Sequence, residues 1–178
     1  SRGNDDSRRG ERRFERARRG TRRLGLGPAA VLLAVGLVVG HARAAEPLAE
    51  SEADQPGLRL QIKELKRTSG GTLMLRFTVI NDGEKALNFG SHLIGDSNIP
   101  GDYRTAGGVH LIDAAGKKKY LVVRDSQGSC VCSKDMPNLE PGKEMNLCAR
   151  FPATPESVEK IGVIVPHFIP MDDVPIGR

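Results

Sequence analysis

The chain has 178 residues, room for one ordinary domain with additional segments, and 4% of them are aromatic, with no Trp. A formal charge of +5 invites a nucleic-acid partner, but residues 1–44 hold eleven Arg against four acids, whereas the other 134 residues hold 16 basic and 18 acidic side chains. The basicity therefore belongs to the leader, the rest carries a balance of −2, and nucleic-acid binding by the folded part loses its electrostatic support.

Ser1 to Arg23 is Arg-rich and has almost nothing to bury. The uncharged run Leu24–Gly40 follows, with Ala29–Val39 as its apolar centre, and then Ala42-Arg43-Ala44 supplies small residues at both ends of an A-x-A pattern. A positive region, a short apolar region and that pattern predict a secretory signal peptide over residues 1–44, cleaved after Ala44. An uncleaved anchor is the competing reading, since this run is at the short limit for crossing a bilayer. Its four glycines and Pro28 favour cleavage. Arg22-Arg23 is a twin Arg, but Gly25 stands where a twin-arginine export signal wants a large apolar residue. The mature chain is expected to be secreted or held in the cell envelope, with no membrane segment.

Residues 45–57 (AEPLAESEADQPG) are acidic with little to bury, and predict a flexible linker or disordered mature N-terminus. The folded part, 58–178, is expected to begin at Leu58. Leu58, Leu60 and Ile62 alternate, Lys63–Thr68 turns polar, and Ser69-Gly70-Gly71 breaks the chain. Thr72–Ile80 is the strongest strand signal, ended by Asn81-Asp82-Gly83-Glu84. A short strand at Ala86–Phe89 precedes a long polar connection. Val109–Asp113 and Tyr120–Arg124 then form a hairpin around a Gly-and-Lys turn. Beyond the turn Leu139–Gly142, Met145, Leu147, Ala149 and Phe151 share one face of a strand, and Ile161–Val165 is a continuous apolar strand. The Pro-rich tail His167–Ile176 is excluded from the centre of a sheet. About seven short strands, Gly/Pro punctuation and no helical periodicity predict an all-β, antiparallel β-sandwich.

No nucleophile elbow, zinc-protease, phosphate-loop or dinucleotide motif is present in the sequence. His110 and Asp113 lie three apart in a strand, hence on opposite faces, and do not make a base and its orienting partner. Asp172 and Asp173 lack the ligand spacing of a calcium loop. No catalytic residue, metal site or cofactor is assigned. Lys117, Lys118 and Lys119 form the one basic cluster after the leader; they offer a contact for an anionic envelope polymer, or serve only to keep a strand edge soluble.

Cys130, Cys132 and Cys148 all follow the leader and meet an oxidising compartment, where a disulfide is the ordinary outcome. A bridge from the C-x-C to Cys148 would tie the loop to the next strand. A Cys130–Cys132 bridge requires the segment to curl, because extended residues two apart are separated by about 6.6–7.2 Å. Together with Met136, Met145 and His167 the C-x-C also offers soft ligands for Cu(I), although Met145 is needed in the core.

The string Phe77-x-Val79-x-Asn81-Asp82-Gly83-Glu84-Lys85-Ala86-Leu87, the turn Gly116–Leu121 and Leu139-Glu140-Pro141-Gly142-Lys143-Glu144 resemble secreted bacterial immunoglobulin-like sandwich domains of unknown function, a broad class that includes immunoprotective extracellular antigens of actinobacteria. Residues 151–176 and the string RDSQGSCVCS (residues 124–133) are more similar to a narrower group of envelope-associated domains, some beside OmpA-like modules. The likeness covers Leu58 to Ile176 and implies an immunoglobulin-like sandwich outside the cytoplasm, without catalytic residues. It also implies the Cys130–Cys132 pairing. No OmpA-like module is present in the sequence, so peptidoglycan binding does not carry over. Two function classes follow: a non-catalytic interaction module for an unknown protein or envelope polymer, or a metal- or redox-handling protein built on the C-x-C loop. N-terminal sequencing of exported protein is expected to begin at or near Ala45, and a start at Arg23 or earlier would overturn the cleavage assignment.

Overall fold

The structure, a computed structural model, describes residues 46–178 apart from His92. The expected signal peptide, residues 1–44, and its expected cleavage point lie outside the described residues. Among the described residues eight strands are present: β1 Ala49–Glu52, β2 Leu58–Arg67, β3 Thr72–Asn81, β4 His110–Asp113, β5 Lys118–Leu121, β6 Glu144–Pro152, β7 Lys160–Ile164 and β8 Met171–Pro175. They form two four-stranded sheets, ordered β1-β2-β3-β6 and β5-β4-β7-β8, and every pairing between neighbouring strands is antiparallel. The described residues form an all-β sandwich.

Alternation explains which residues meet between the sheets. Leu73, Leu75, Phe77 and Val79 of β3 and Leu147, Ala149 and Phe151 of β6 are buried from the first sheet. Leu111, Tyr120, Ile161, Val163, Met171 and Val174 are buried from the second. All belong to one apolar core, which is the dominant favourable term for a fold of this kind.

β2 is longer than its sequence pattern suggests. Leu58, Leu60 and Ile62 are buried at alternate positions, and the next buried residue is Leu65, out of phase by one. A register shift between Ile62 and Glu64 absorbs the extra residue, so the strand continues to Arg67 through the polar segment in which the apolar alternation stops. Conversely, Ala86–Phe89 is no strand. Leu87 makes a two-bond bridge with Leu139, 2.9 Å each way, and Phe89–Ser91 is a turn of 3₁₀ helix.

The expected linker is also corrected. Within residues 45–57, Ala49–Glu52 pairs with Arg59–Ile62 of β2. Its acidic residues do not prevent this, because Glu50 faces outward and accepts bonds from Arg59 (2.7 Å) and Gln61 (2.8 Å) on the neighbouring strand. Ser51 is buried instead, its hydroxyl donating to the Ile169 carbonyl at 2.6 Å. The fold thus starts before Leu58, and the tail contributes β8 at the margin of its sheet.

Asn81 organises the turns at one end. It is buried, and its amide donates to the carbonyls of Lys85 and Leu139, each at 2.8 Å, while its oxygen accepts from Gly83 N–H at 3.0 Å. Gly57 lies so close that a Cβ there would stand 2.7 Å from Gly83 Cα, and its φ is +84°. Asn81→Ala removes three bonds made by one buried amide, although the Leu139 carbonyl keeps its bond from Leu87 N–H, so chemical denaturation is expected to show a loss of about 1–3 kcal/mol, with no loss indicating that water replaces the side chain.

Candidate interaction site

The site is assembled by two irregular segments that settle on the sandwich. The first is the long connection from Ile94 to Val109, pinned by buried Ile94, Ala106 and Val109. Asp102 is its anchor. One carboxylate oxygen accepts from Arg124 Nη2 at 2.9 Å and from Asp96 N–H at 3.0 Å, and the other accepts from the Thr105 hydroxyl at 2.9 Å. A Cβ on Gly107 would overlap that carboxylate, which is why the chain has glycine there. Burial pushes the Asp102 carboxyl upward, but the bonds from Arg124, Asp96 N–H and Thr105 outweigh it and hold the carboxyl below its ordinary range.

The second segment runs from Val122 to Ser133 and carries the cysteines. Arg124 Nη1 donates to the Gly128 carbonyl at 2.9 Å, so one guanidinium ties this hairpin to the long connection. Asp125 closes the hairpin tip by accepting from Gln127 and Ser129 N–H groups, both at 2.9 Å. The chain then lies along β6. Val123 N–H donates to Arg150 (2.8 Å), Arg150 N–H to Val131 (3.0 Å) and Val131 N–H to Val123 (2.7 Å), a closed ring of three backbone bonds. The strand leaving β5 therefore passes from one sheet to the edge of the other.

Cys130 and Cys132 are bonded to each other, with Cα atoms 5.3 Å apart, and Cys148 is free. Register accounts for the choice. Cys132 pairs with Ala149, whose side chain is buried, so Cys132 packs on the core side. Cys148 lies on the outward side and faces Ser133, which donates to its sulfur at 3.6 Å and accepts from its N–H at 2.9 Å. A serine thus occupies the position from which a partner for Cys148 would come.

Lys117, Lys118 and Lys119 lie at the start of β5, all exposed. Lys117 takes the left-handed turn position, with φ 51°. Lys118 Nζ lies 4.9 Å from the centre of the Tyr120 ring. Lys119 and Leu121 share the outer face with His110. Together with Gly95–Asn98, Gly107, Gly108, Pro166 and His167 they line a concavity of about 740 Å³. Burial lowers the His110 pKa more than the Gly108 carbonyl raises it, and Lys119 lowers it further. The imidazole Nδ1 is 3.1 Å from that carbonyl, which leaves Nε2 as the remaining ring nitrogen.

The other sequence candidates do not converge. The Asp113 carboxylate accepts from Gly116 N–H at 2.9 Å and closes the β4–β5 turn, away from the His110 face. Met136 is buried, Met145 packs against the core, and His167 Nδ1 is 3.0 Å from Asp54. Asp172 and Asp173 are exposed on β8. Among the described residues no group of three or more His, Cys, Asp or Glu is placed to hold a metal ion. The Asp102–Arg124 pair and the concavity escaped the sequence reading, because their residues are distant along the chain and form no motif. A comparison with known protein families and with curated proteins finds no match to this chain.

The two anchors should respond differently to removal. A bridge across one residue removes little unfolded-chain entropy, so the Cys130→Ser, Cys132→Ser double variant is expected to melt close to the parent. Arg124→Met strands the Asp102 carboxylate and should cost up to about 3 kcal/mol, the lower end for breaking a buried pair, since Arg124 is partly exposed. Because the Asp102 pKa is lowered on folding, its contribution is fully present above the ordinary carboxylate range and is lost as pH falls from that range through the lowered value. Arg124→Met should therefore flatten the acid limb of the stability curve, and an unchanged limb would contradict the assignment.

Proposed function

We propose that this protein is a non-catalytic, secreted or envelope-associated module of immunoglobulin-like type that binds a partner at the β5 face. The observation that carries the reading is the concavity itself. Its floor is sheet, its wall is a connection fixed by Asp102 and Arg124, and it joins exposed Lys119 and Leu121 to polar groups of Asp96 and Asn98. A preformed hollow whose lining mixes polar side chains (Asp96, Ser97, Asn98, His110, Lys119) with Leu121 and Pro166 suits recognition of a polar partner, because little ordering entropy is lost on binding. Export is supported by the leader pattern, and the immunoglobulin-like type by the turn strings around Asn81, Gly116 and Leu139.

A redox-handling role for the C-x-C has weaker support. Cys130 is 2% exposed and Cys132 is partly buried against the core, so an attacking thiolate has access to one sulfur only. The disulfide is better read as holding the curl of a segment that covers β6.

Photo-crosslinking in the intact envelope tests the reading, with a photoreactive residue at Leu121 and, as a control, at the exposed Arg76 on the other sheet. Adducts from Leu121 alone are expected. Adducts from Arg76 alone would move the site, and none from either position would contradict an interaction module.

A further inference from the structure

The sandwich has four strand edges, and the chain treats one of them differently. Unpaired backbone on an edge invites another strand, and folded proteins normally cover or break such edges. The free side of β6 is covered at Cys148 and Arg150 by Ser133, Val131 and Val123. β1 is bonded at its end, where Ile169 N–H donates to Glu52 at 3.0 Å. β8 is broken: its pairing with β7 shifts between Ile161 and Val163, Asp173 has φ 54°, and Pro175 has no N–H to offer. β5 has none of these devices. It pairs in regular register with β4 over Lys118–Leu121, and no other described segment bonds to it.

Resting on the reading of the previous section, we propose that β5 is the docking edge, and that its partner is an acidic polypeptide segment which adds to it as an extended strand. Main-chain bonds along Lys118–Leu121 supply the pairing, and side chains of alternate residues supply the selectivity. Lys117 and Lys119 provide the cations for carboxylates of the incoming strand. Asp96, the acid in the adjoining concavity, is offset by Arg124 at 3.7 Å. Leu121, 58% exposed on the same face as Lys119, provides the contact for an apolar residue of that strand. A lysine-guarded edge does not account for this arrangement. Lys118 folds back over its own Tyr120, and the position that ends the edge is leucine, not a charge. The incoming strand's outward side chains would lie beside the concavity formed with His110 and Asn98.

The test uses the full, oxidised chain as bait for a displayed library of random peptides. Enriched peptides are expected to alternate acidic and apolar residues. A synthetic peptide of the enriched sequence should bind at least about tenfold more weakly to the Lys117→Glu, Lys119→Glu variant and to Leu121→Ser, each verified to keep the parent melting transition. N-methylation, which preserves charge and removes main-chain donors, is applied to each of the two sets of alternate amides in turn, and in one set, the set facing β5, it should abolish binding. Retained affinity after N-methylation of either set, or enrichment of basic or Pro-rich peptides, would overturn strand addition. So would the absence of any enrichment. If Leu121 still crosslinks in the envelope under those outcomes, the interaction module stands and only the strand-addition mode fails; if crosslinking fails as well, both fail.

Discussion

The ion pair between Asp102 and Arg124 is the constraint on which the two irregular segments beside the concavity depend. One guanidinium bonds the anchor of the long connection on one side and the Gly128 carbonyl of the cysteine hairpin on the other. Asp102 is almost wholly buried, so its charge is tolerable only while Arg124, Asp96 N–H and Thr105 remain in place. Further bonds secure the same contact: Ala106 N–H to Ser133 at 3.0 Å, and Arg104 Nη1 to Met136 at 2.9 Å. The result is a loop layer with a fixed shape, whose Ile94, Ala106, Val109 and Met136 side chains join the core of the sandwich.

Closure of the sandwich follows from how the chain crosses between sheets. Val122 is still buried, yet the backbone of Val123 already bonds to β6. The C-x-C then returns along the same edge, and its curl brings Val131 and Ser133 onto Arg150 and Cys148. Covering β6 in this way leaves β5 as the bare edge beside the concavity. The disulfide thus acts on geometry at one corner, and its short span gives it little leverage on the stability of the whole domain.

Much of the fold was legible because period-2 alternation and turn residues are local properties. β3, β6 and β7 were readable from Leu73–Val79, Leu147–Phe151 and Ile161–Val163, whose side chains serve a single face or a buried strand. Where alternation was interrupted, the reading stopped short, as at the register shift after Ile62. Where polar residues pair across strands, the segment looked like linker, as at Glu50 with Arg59 and Gln61. Leu87 and Phe89 are buried by a bridge and a 3₁₀ turn, which share the apolar look of a strand. The cysteine pairing depends on register, which places Ser133 opposite Cys148 and is not encoded by spacing. The concavity depends on residues between 95 and 167 meeting in space, and no local pattern announces that.

Amide hydrogen exchange of the intact chain, followed residue by residue, is the most direct measurement of the central claim that the chain covers or breaks three edges and leaves β5 open. The N–H groups of Val131, Ser133, Cys148 and Arg150 are predicted to exchange slowly, because each is bonded at the covered β6 edge. Within Lys118–Leu121, the N–H groups directed away from β4 are predicted to exchange at rates close to those of an unstructured chain. Uniform protection along β5, or rapid exchange at Val131 and Ser133, would contradict the account.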